Sequence, residues 1–122
     1  MGISEEEIIQ AAEEVHRHLG GPGLLENIYE TALFHELMLR GFSVKRQLPI
    51  PVIYKSTQIR DPLFLDLLVE DEVIIEIKAT AKEYPYYHAQ LATHLRLLGK
   101  RRGLLINFGK DSLLEGVCRM IL

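Results

Sequence analysis

The sequence predicts an α/β fold in which a mixed central β-sheet is flanked by α-helices. Three observations predict it. Apolar residues recur at helical spacing in two N-terminal segments and one later segment, the pattern changes to period two or to all-apolar runs elsewhere, and glycine or proline marks most of the changeovers. At 122 residues the chain, residues 1–122, is one domain's worth, since domains commonly span about 50 to 250 residues. With 48% apolar and 25% charged residues and a mean hydropathy of +0.06, the composition is that of a globular protein and excludes a disordered one.

Ser4 followed by Glu7 has the spacing of a capping box, and Ile8, Ala11, Ala12, Val15 and Leu19 carry a first helix to Gly20-Gly21. Leu24, Leu25, Ile28, Ala32, Leu33, Leu37 and Leu39 mark a second, of about 17 residues, ending at Gly41. From Phe42 the period becomes two: Phe42, Val44, Leu48 and Ile50 fall on one face, with Pro49 and Pro51 suggesting an edge or a break. Val52-Ile53-Tyr54 and Lys55-Ser56-Thr57 read as a short strand and turn. Phe64–Val69 and Val73–Lys78 form the clearest strand pair, joined by Glu70-Asp71-Glu72, and the second of them is apolar on both faces, as suits a central strand. Pro85 opens a third helix through Leu91, Leu95 and Leu98 to Gly99, and Gly103–Gly109 is a further buried strand. The order is α-α-β-β-β-β-α-β, followed by an untyped element around Leu113–Ile121.

No apolar run reaches the ~20 residues of a membrane span, Ser4-Glu5-Glu6-Glu7 stands where a secretory signal would be basic and then apolar, and the single Cys118 has no internal partner. These features predict a cytoplasmic protein with no membrane partner. The net charge of -3 argues against a polyanionic partner at first sight. Residues 1–20, however, hold five of the acids and one base, leaving twelve acids and thirteen bases in the remainder, which permits a local basic patch. Lys45, Arg46, Arg60, Lys82 and the run Lys100-Arg101-Arg102 are the candidates for phosphate contact, and Tyr84, Tyr86 and Tyr87 could stack on bases or cover the sheet. No Walker loop, dinucleotide fingerprint or nucleophile elbow occurs.

Two carboxylates interrupt the apolar strands. Asp66 lies within Phe64–Val69 and Glu76 within Val73–Lys78, and a buried charge costs several kcal/mol unless it is paired or bound to a metal. With a three-residue connection Asp66 lies directly opposite Glu76, and Lys78 follows on the face of Glu76. With a two-residue connection the acids fall on opposite faces. Facing carboxylates repel, and a hard divalent cation between them removes the repulsion. A solvated strand face remains the plainer reading of Glu76 and Lys78.

The arrangement of Asp66, hairpin, Glu76-Ile77-Lys78 resembles the PD-(D/E)XK nuclease superfamily. More narrowly, Gly23-Leu24-Leu25-Glu26-Asn27-Ile28-Tyr29 matches Gly-x-x-Glu-x-x-Tyr and is similar to the GxxExxY protein family, as are Asp66–Glu70, Ala89-Gln90-Leu91 and Asn107-Phe108-Gly109. The resemblance implies a restriction-endonuclease-like core and a Mg²⁺-dependent endonuclease, with Mn²⁺ able to substitute, that hydrolyses phosphodiester bonds in nucleic acid, DNA in particular. It implies Glu26, Asp66, Glu76, Lys78 and Gln90 as site residues. Asp66, Glu76, the carbonyl of Ile77 and Glu26 would hold the metal, Lys78 would position water and stabilise phosphate charge, and Gln90 would hold substrate or orient Lys78. The family commonly has a His at the position of Tyr87 and a Tyr at that of His94, and this chain departs from it at both. Tyr29 shares the helix face of Glu26, and a partly buried aromatic with a bonded hydroxyl is an equal reading to a site role. His16, His18, His35, His88 and His94 lack zinc spacing and read as helical surface residues. The alternative is a non-catalytic nucleic-acid-binding or protein-interaction module that retains the nuclease fold. A chain this short leaves no room for a separate substrate-grasping domain, so a homodimer is expected for two-strand cleavage.

Overall fold

The computed structural model describes residues 3–122. Helix α1 spans Glu5–His18, α2 Glu26–Leu39 and α3 Pro85–Leu98, and the strands are β1 Val44–Tyr54, β2 Thr57–Val69, β3 Val73–Lys78, β4 Arg102–Asn107 and β5 Val117–Ile121, with a 3₁₀ turn at Leu113–Gly116. They form one sheet in chain order, in which only β3 and β4 are parallel. That pair is joined through α3, the crossover that a parallel connection requires. Helices α1 and α2 cover one face, where Ile8, Ala12, Leu33 and Leu37 share a core with Val69, Ile75 and Leu104. Helix α3 covers the other, bringing Leu91 and Leu95 to Leu68, Ile74 and Leu105. Strand β3 is therefore buried on both sides, as its all-apolar run predicts. Among the described residues no helix is long and apolar enough to cross a membrane.

Several local expectations are corrected. Residues 44–50 and 52–54 belong to one strand, β1, which runs unbroken through Pro49 and Pro51 because, of the edge or break these prolines suggested, it is the edge, and its outer side has no ladder to break. Strand β2 begins at Thr57, seven residues before Phe64, after a tight turn at Lys55 and Ser56, both with positive φ (49° and 68°). The untyped C-terminal element is the 3₁₀ turn and β5. Helix α2 starts at Glu26, leaving Leu24 and Leu25 exposed ahead of it. Ser4 occupies the N-cap of α1 but makes no side-chain cap bond. Glu5 and Glu6 instead pair with Arg102 and Arg119, which fasten the start of α1 to β4 and β5.

The four residues assigned to one face of β1 do not share it. Phe42 and Val44 pack toward α1 and α2, whereas Leu48 and Ile50 pack toward α3. Strand β2 changes face at the same level, with Leu67 and Val69 on the first side and Leu65 on the second. The crossover falls between the pairs Arg46–Leu67 and Leu48–Leu65, where Gln47 stands at φ 50° opposite Asp66. A left-handed residue breaks the strict alternation of an extended strand and re-aims the side chains beyond it.

Asn107 closes the end of the parallel pair. Its Oδ1 accepts from Thr80 N (3.0 Å) and Gly109 N (2.9 Å), and its Nδ2 donates to Thr80 O (3.0 Å). A Cβ on Gly109 would collide with the Thr80 backbone, which this network fixes, whereas one on Gly103 would meet the Leu91 Cδ1 at 2.8 Å, the far end of a movable side chain. Gly109→Ala is therefore expected to lower stability by about 1–3 kcal/mol or more, and Gly103→Ala by less. Urea unfolding of the two variants checks this, and equal losses would contradict it.

Candidate active site

The Gly-x-x-Glu-x-x-Tyr segment has a mechanical explanation. Tyr29 is fully buried and stacked on Phe108 at 4.7 Å between ring centroids. Its hydroxyl donates to Gly21 O (2.7 Å) and accepts from Leu24 N (3.1 Å). The loop bends through Gly23 at φ 115°, a backbone angle that suits glycine. Tyr29 thus pins the loop that opens α2, and Glu26 becomes the first residue of that helix. Of the two readings of Tyr29, the structure supports the buried, bonded aromatic.

The β2–β3 hairpin has the three-residue connection Glu70–Glu72. Its pairs Leu67–Ile75, Leu68–Ile74 and Val69–Val73 put Asp66 opposite Glu76. Beyond Leu67 the ladder opens, and Asp66 Oδ2 accepts from Ile77 N (2.7 Å) where a strand carbonyl would otherwise serve. Glu76 is 1% exposed, and its Oε2 is bonded to His94 Nδ1. The Lys78 ammonium lies 4.7 Å from the centroid of the Tyr87 ring, a cation–π contact. Gln90 stands on α3 one turn before His94 and has its Oε1 buried without a partner. With Leu63, Tyr86, Thr93 and His94 it lines a cavity of about 160 Å³.

Three residues of this centre were not among the sequence candidates. Glu30 is 5% exposed and accepts from Arg46 Nη2 (3.1 Å) and Gln47 Nε2 (2.9 Å). Its position four residues after Glu26, on the same helix face, was the available signal. Gln47 also donates to Asp66 Oδ1 at 3.3 Å. His94, read as a surface residue, is 2% exposed. Its place beside Leu91 and Leu95 on the apolar stripe of α3 was the signal for burial. His16 is buried as well, with Nε2 2.9 Å from Lys110 O, whereas His18 and His35 are exposed.

The carboxylates perturb one another. Burial raises the Asp66 pKa from 3.8 to about 7, helped by the charge on Glu76 and opposed by the Ile77 N–H. Burial comes first among the causes and repulsion from Glu76 second. Glu76 is also raised by burial, against the lowering effect of His94 and Lys78. Glu26 is exposed as a residue, yet partial desolvation of its carboxyl raises its pKa, with Lys78 lowering it and Glu30 and Glu76 raising it further.

Among the described residues no three His, Cys, Asp or Glu side chains converge tightly enough to hold a metal by themselves. The donor chemistry still suits a hard divalent cation. Mg²⁺ is commonly held by one or two carboxylates with several waters, and two carboxylates raised by burial and mutual charge gain from a cation beside them. The basic run after α3 is largely occupied. Lys100 pairs with Asp71 at 3.3 Å, and Arg102 pairs with Glu5 at 3.0 Å and Glu72 at 3.4 Å and donates to Ile3 O. Only Arg101 of the three is without an ion pair among the described residues.

The raised Asp66 pKa has a definite sign in stability. Between about pH 4 and pH 7 the folded state keeps a proton that the unfolded state has lost, so stability is greatest at the low end and declines as pH rises through the folded pKa. In chelator, the melting temperature of the wild type should fall from about pH 5 to about pH 8, and Asp66→Asn should flatten that fall. An identical pH profile in the two proteins would mean that Asp66 does not titrate in this range.

A family model for the PD-(D/E)XK nuclease superfamily matches residues 3–120. Among solved structures the chain is similar to an alkaline exonuclease from Laribacter hongkongensis, with a TM-score of 0.53 and 17% identity over 99% of this chain and 72% of that one, a likeness of fold. No curated protein matches the sequence. The mixed sheet between helices is a restriction-endonuclease-like core, and with nearly its whole length matched, this chain belongs to the PD-(D/E)XK nuclease superfamily.

Proposed function

We propose that this protein, as one nuclease-like domain over residues 1–122 and a member of the GxxExxY family, is a Mg²⁺-dependent endonuclease that hydrolyses phosphodiester bonds in DNA. The observation that carries the reading is the opposition of Asp66 and Glu76 across the hairpin with Lys78 on the same strand. Asp66, Glu76 and the Ile77 carbonyl would hold the metal, with Glu26 reaching its water ligands from the start of α2. The metal supplies Lewis acidity toward phosphate and a more acidic water. Lys78 orients the attacking water and offsets charge on the phosphorus oxygens, held by the Tyr87 ring. The water adds its oxygen to phosphorus and its proton reaches the departing alkoxide. Gln90 lies within one turn of His94, from which it can hold substrate at the rim.

A non-catalytic binding module is the second reading, favoured by the ion pairs that occupy Lys100 and Arg102. A cleavage panel of linear, nicked, branched and single-stranded DNA, with RNA, in Mg²⁺ and in Mn²⁺, separates the two. Asp66→Ala, Glu76→Ala and Lys78→Ala should each slow cleavage by at least on the order of 10²-fold, and full activity in Asp66→Ala would remove the assignment. Two-strand cleavage asks for two such centres about a two-fold axis, so the protein should sediment as a dimer at high concentration or on DNA. A monomer under both conditions would argue against that arrangement.

A further inference from the structure

We infer that Gln47 is a positioning residue for Asp66: its side-chain amide spans two carboxylates and fixes the Asp66 carboxyl toward the cleft, at the expense of a left-handed backbone. The inference rests on the nuclease reading. Two independent features point to it. Gln47 Nε2 lies 2.9 Å from Glu30 Oε1 and 3.3 Å from Asp66 Oδ1, so one amide nitrogen with its two protons serves both acids. Gln47 also holds φ 50°, a conformation that non-glycine side chains adopt at an energetic cost, and such strain persists only where surrounding contacts over-determine it.

The crossover of β1 and β2 explains the geometry. Both strands change face at this level, so Gln47 and Asp66 lie at the point where the hairpin turns over. An ordinary extended residue at position 47 would continue the alternation of Arg46 and Leu48, and its side chain would not be delivered to Glu30 and Asp66 together. The Asp66 carboxyl is then held from two sides, by Ile77 N at Oδ2 and by Gln47 Nε2 at Oδ1. Neither contact supplies a full charge, so the carboxylate is oriented without being neutralised and remains a competent cation ligand. Arg46 differs. It pairs with Glu30 and packs over Phe34, and it makes no hydrogen bond to Asp66.

The test measures metal binding directly, by calorimetry with Mn²⁺ and by the melting shift that Mg²⁺ produces, with cleavage rates as a further readout. Gln47→Met keeps the length and the strained backbone but loses the donors. Gln47→Gly loses the donors and relieves the backbone. Both change no charge, so a loss of affinity cannot be Coulombic. Each should weaken Mn²⁺ binding at least tenfold and shrink the Mg²⁺ melting shift, with kcat falling more than KM, while in chelator the Gly variant melts no lower than the Met variant. Arg46→Gln loosens Glu30 from its other partner and removes a cation, so it should bind Mn²⁺ as tightly as the wild type or more tightly. Wild-type affinity in either Gln47 variant overturns the inference, as does an equal loss in Arg46→Gln, which would mark a general dependence on Glu30. If one Gln47 variant fails to fold, the other decides. A wild type that binds neither ion removes the nuclease reading first, and the inference with it.

Discussion

Three residues, Glu70 to Glu72, fix the register of the β2–β3 hairpin, and the candidate centre depends on that register. A connection shorter by one residue would turn Asp66 to the opposite face from Glu76 and leave a carboxylate in each core. The turn is costly, with Glu70 and Asp71 both at φ 55°, and it is fastened by Glu70, whose N–H bonds to Ser43 O and whose carboxylate accepts from Ser43 N. Position 43 immediately precedes β1, so the loop that sets the hairpin register is clamped by the strand on the other side of β2. Parallel pairing of β3 with β4, locked by Asn107, then holds Glu76 and Lys78 from the other side.

Holding this many acids in and near a core requires a separate answer for each. Glu76 has His94, Glu30 has Arg46 and Gln47, Asp66 has a backbone N–H and the same Gln47, and Glu26 stays at the solvent edge. Apart from the Glu30–Arg46 ion pair, these bonds satisfy the oxygens without supplying a full opposite charge. The outcome is visible in the acids themselves: burial leaves Asp66, Glu76 and Glu26 above their ordinary pKa values despite these partners and Lys78. The local fold is thus in tension with its own site, as is common where chemistry and not packing has selected the side chains.

How much of this could be read from the chain follows from the range of the forces involved. Helix spacing, the all-apolar β3 and the Asp66–Glu76 register are local or follow from counting across one turn, and all three were legible. The face change at Gln47 was not, because alternation is inferred by assuming extended backbone throughout, and a single left-handed residue voids the assumption without leaving a glycine to announce it. Pro49 and Pro51 left an edge and a break open, because the sequence does not reveal which strand will be the edge, and the edge is what the sheet provides. Ser4 makes no side-chain cap bond, and the start of α1 is fastened by partners that spacing rules do not reveal: Glu5 and Glu6 meet arginines about a hundred residues away. The same pairing removed Arg102 from the candidate phosphate contacts. His94 was misread because its residue type was weighed ahead of its place on the apolar stripe of α3, and the buried acid that partners it lies on another element.

The balance of charge at the centre also bears on the order of events under the nuclease reading. Glu26, Glu30, Asp66 and Glu76 lie within range of one another's charge, Lys78 acts on Glu26 and Glu76, and Arg46 is committed to Glu30, so an approaching phosphodiester meets more acids than free bases. Lys78 alone cannot reverse that sign. Of the bases without an ion pair among the described residues, Lys45, Lys55 and Arg60 lie on the β1–β2 hairpin and Lys82 on the loop ahead of α3, where they can attract a backbone over a Debye length. A polyanion would therefore be steered to the rim and held off the centre until a cation stood between Asp66 and Glu76. On that reading metal and substrate binding would be coupled through repulsion: a cation would lower the cost of seating a phosphate beside acids that the side chains alone do not neutralise.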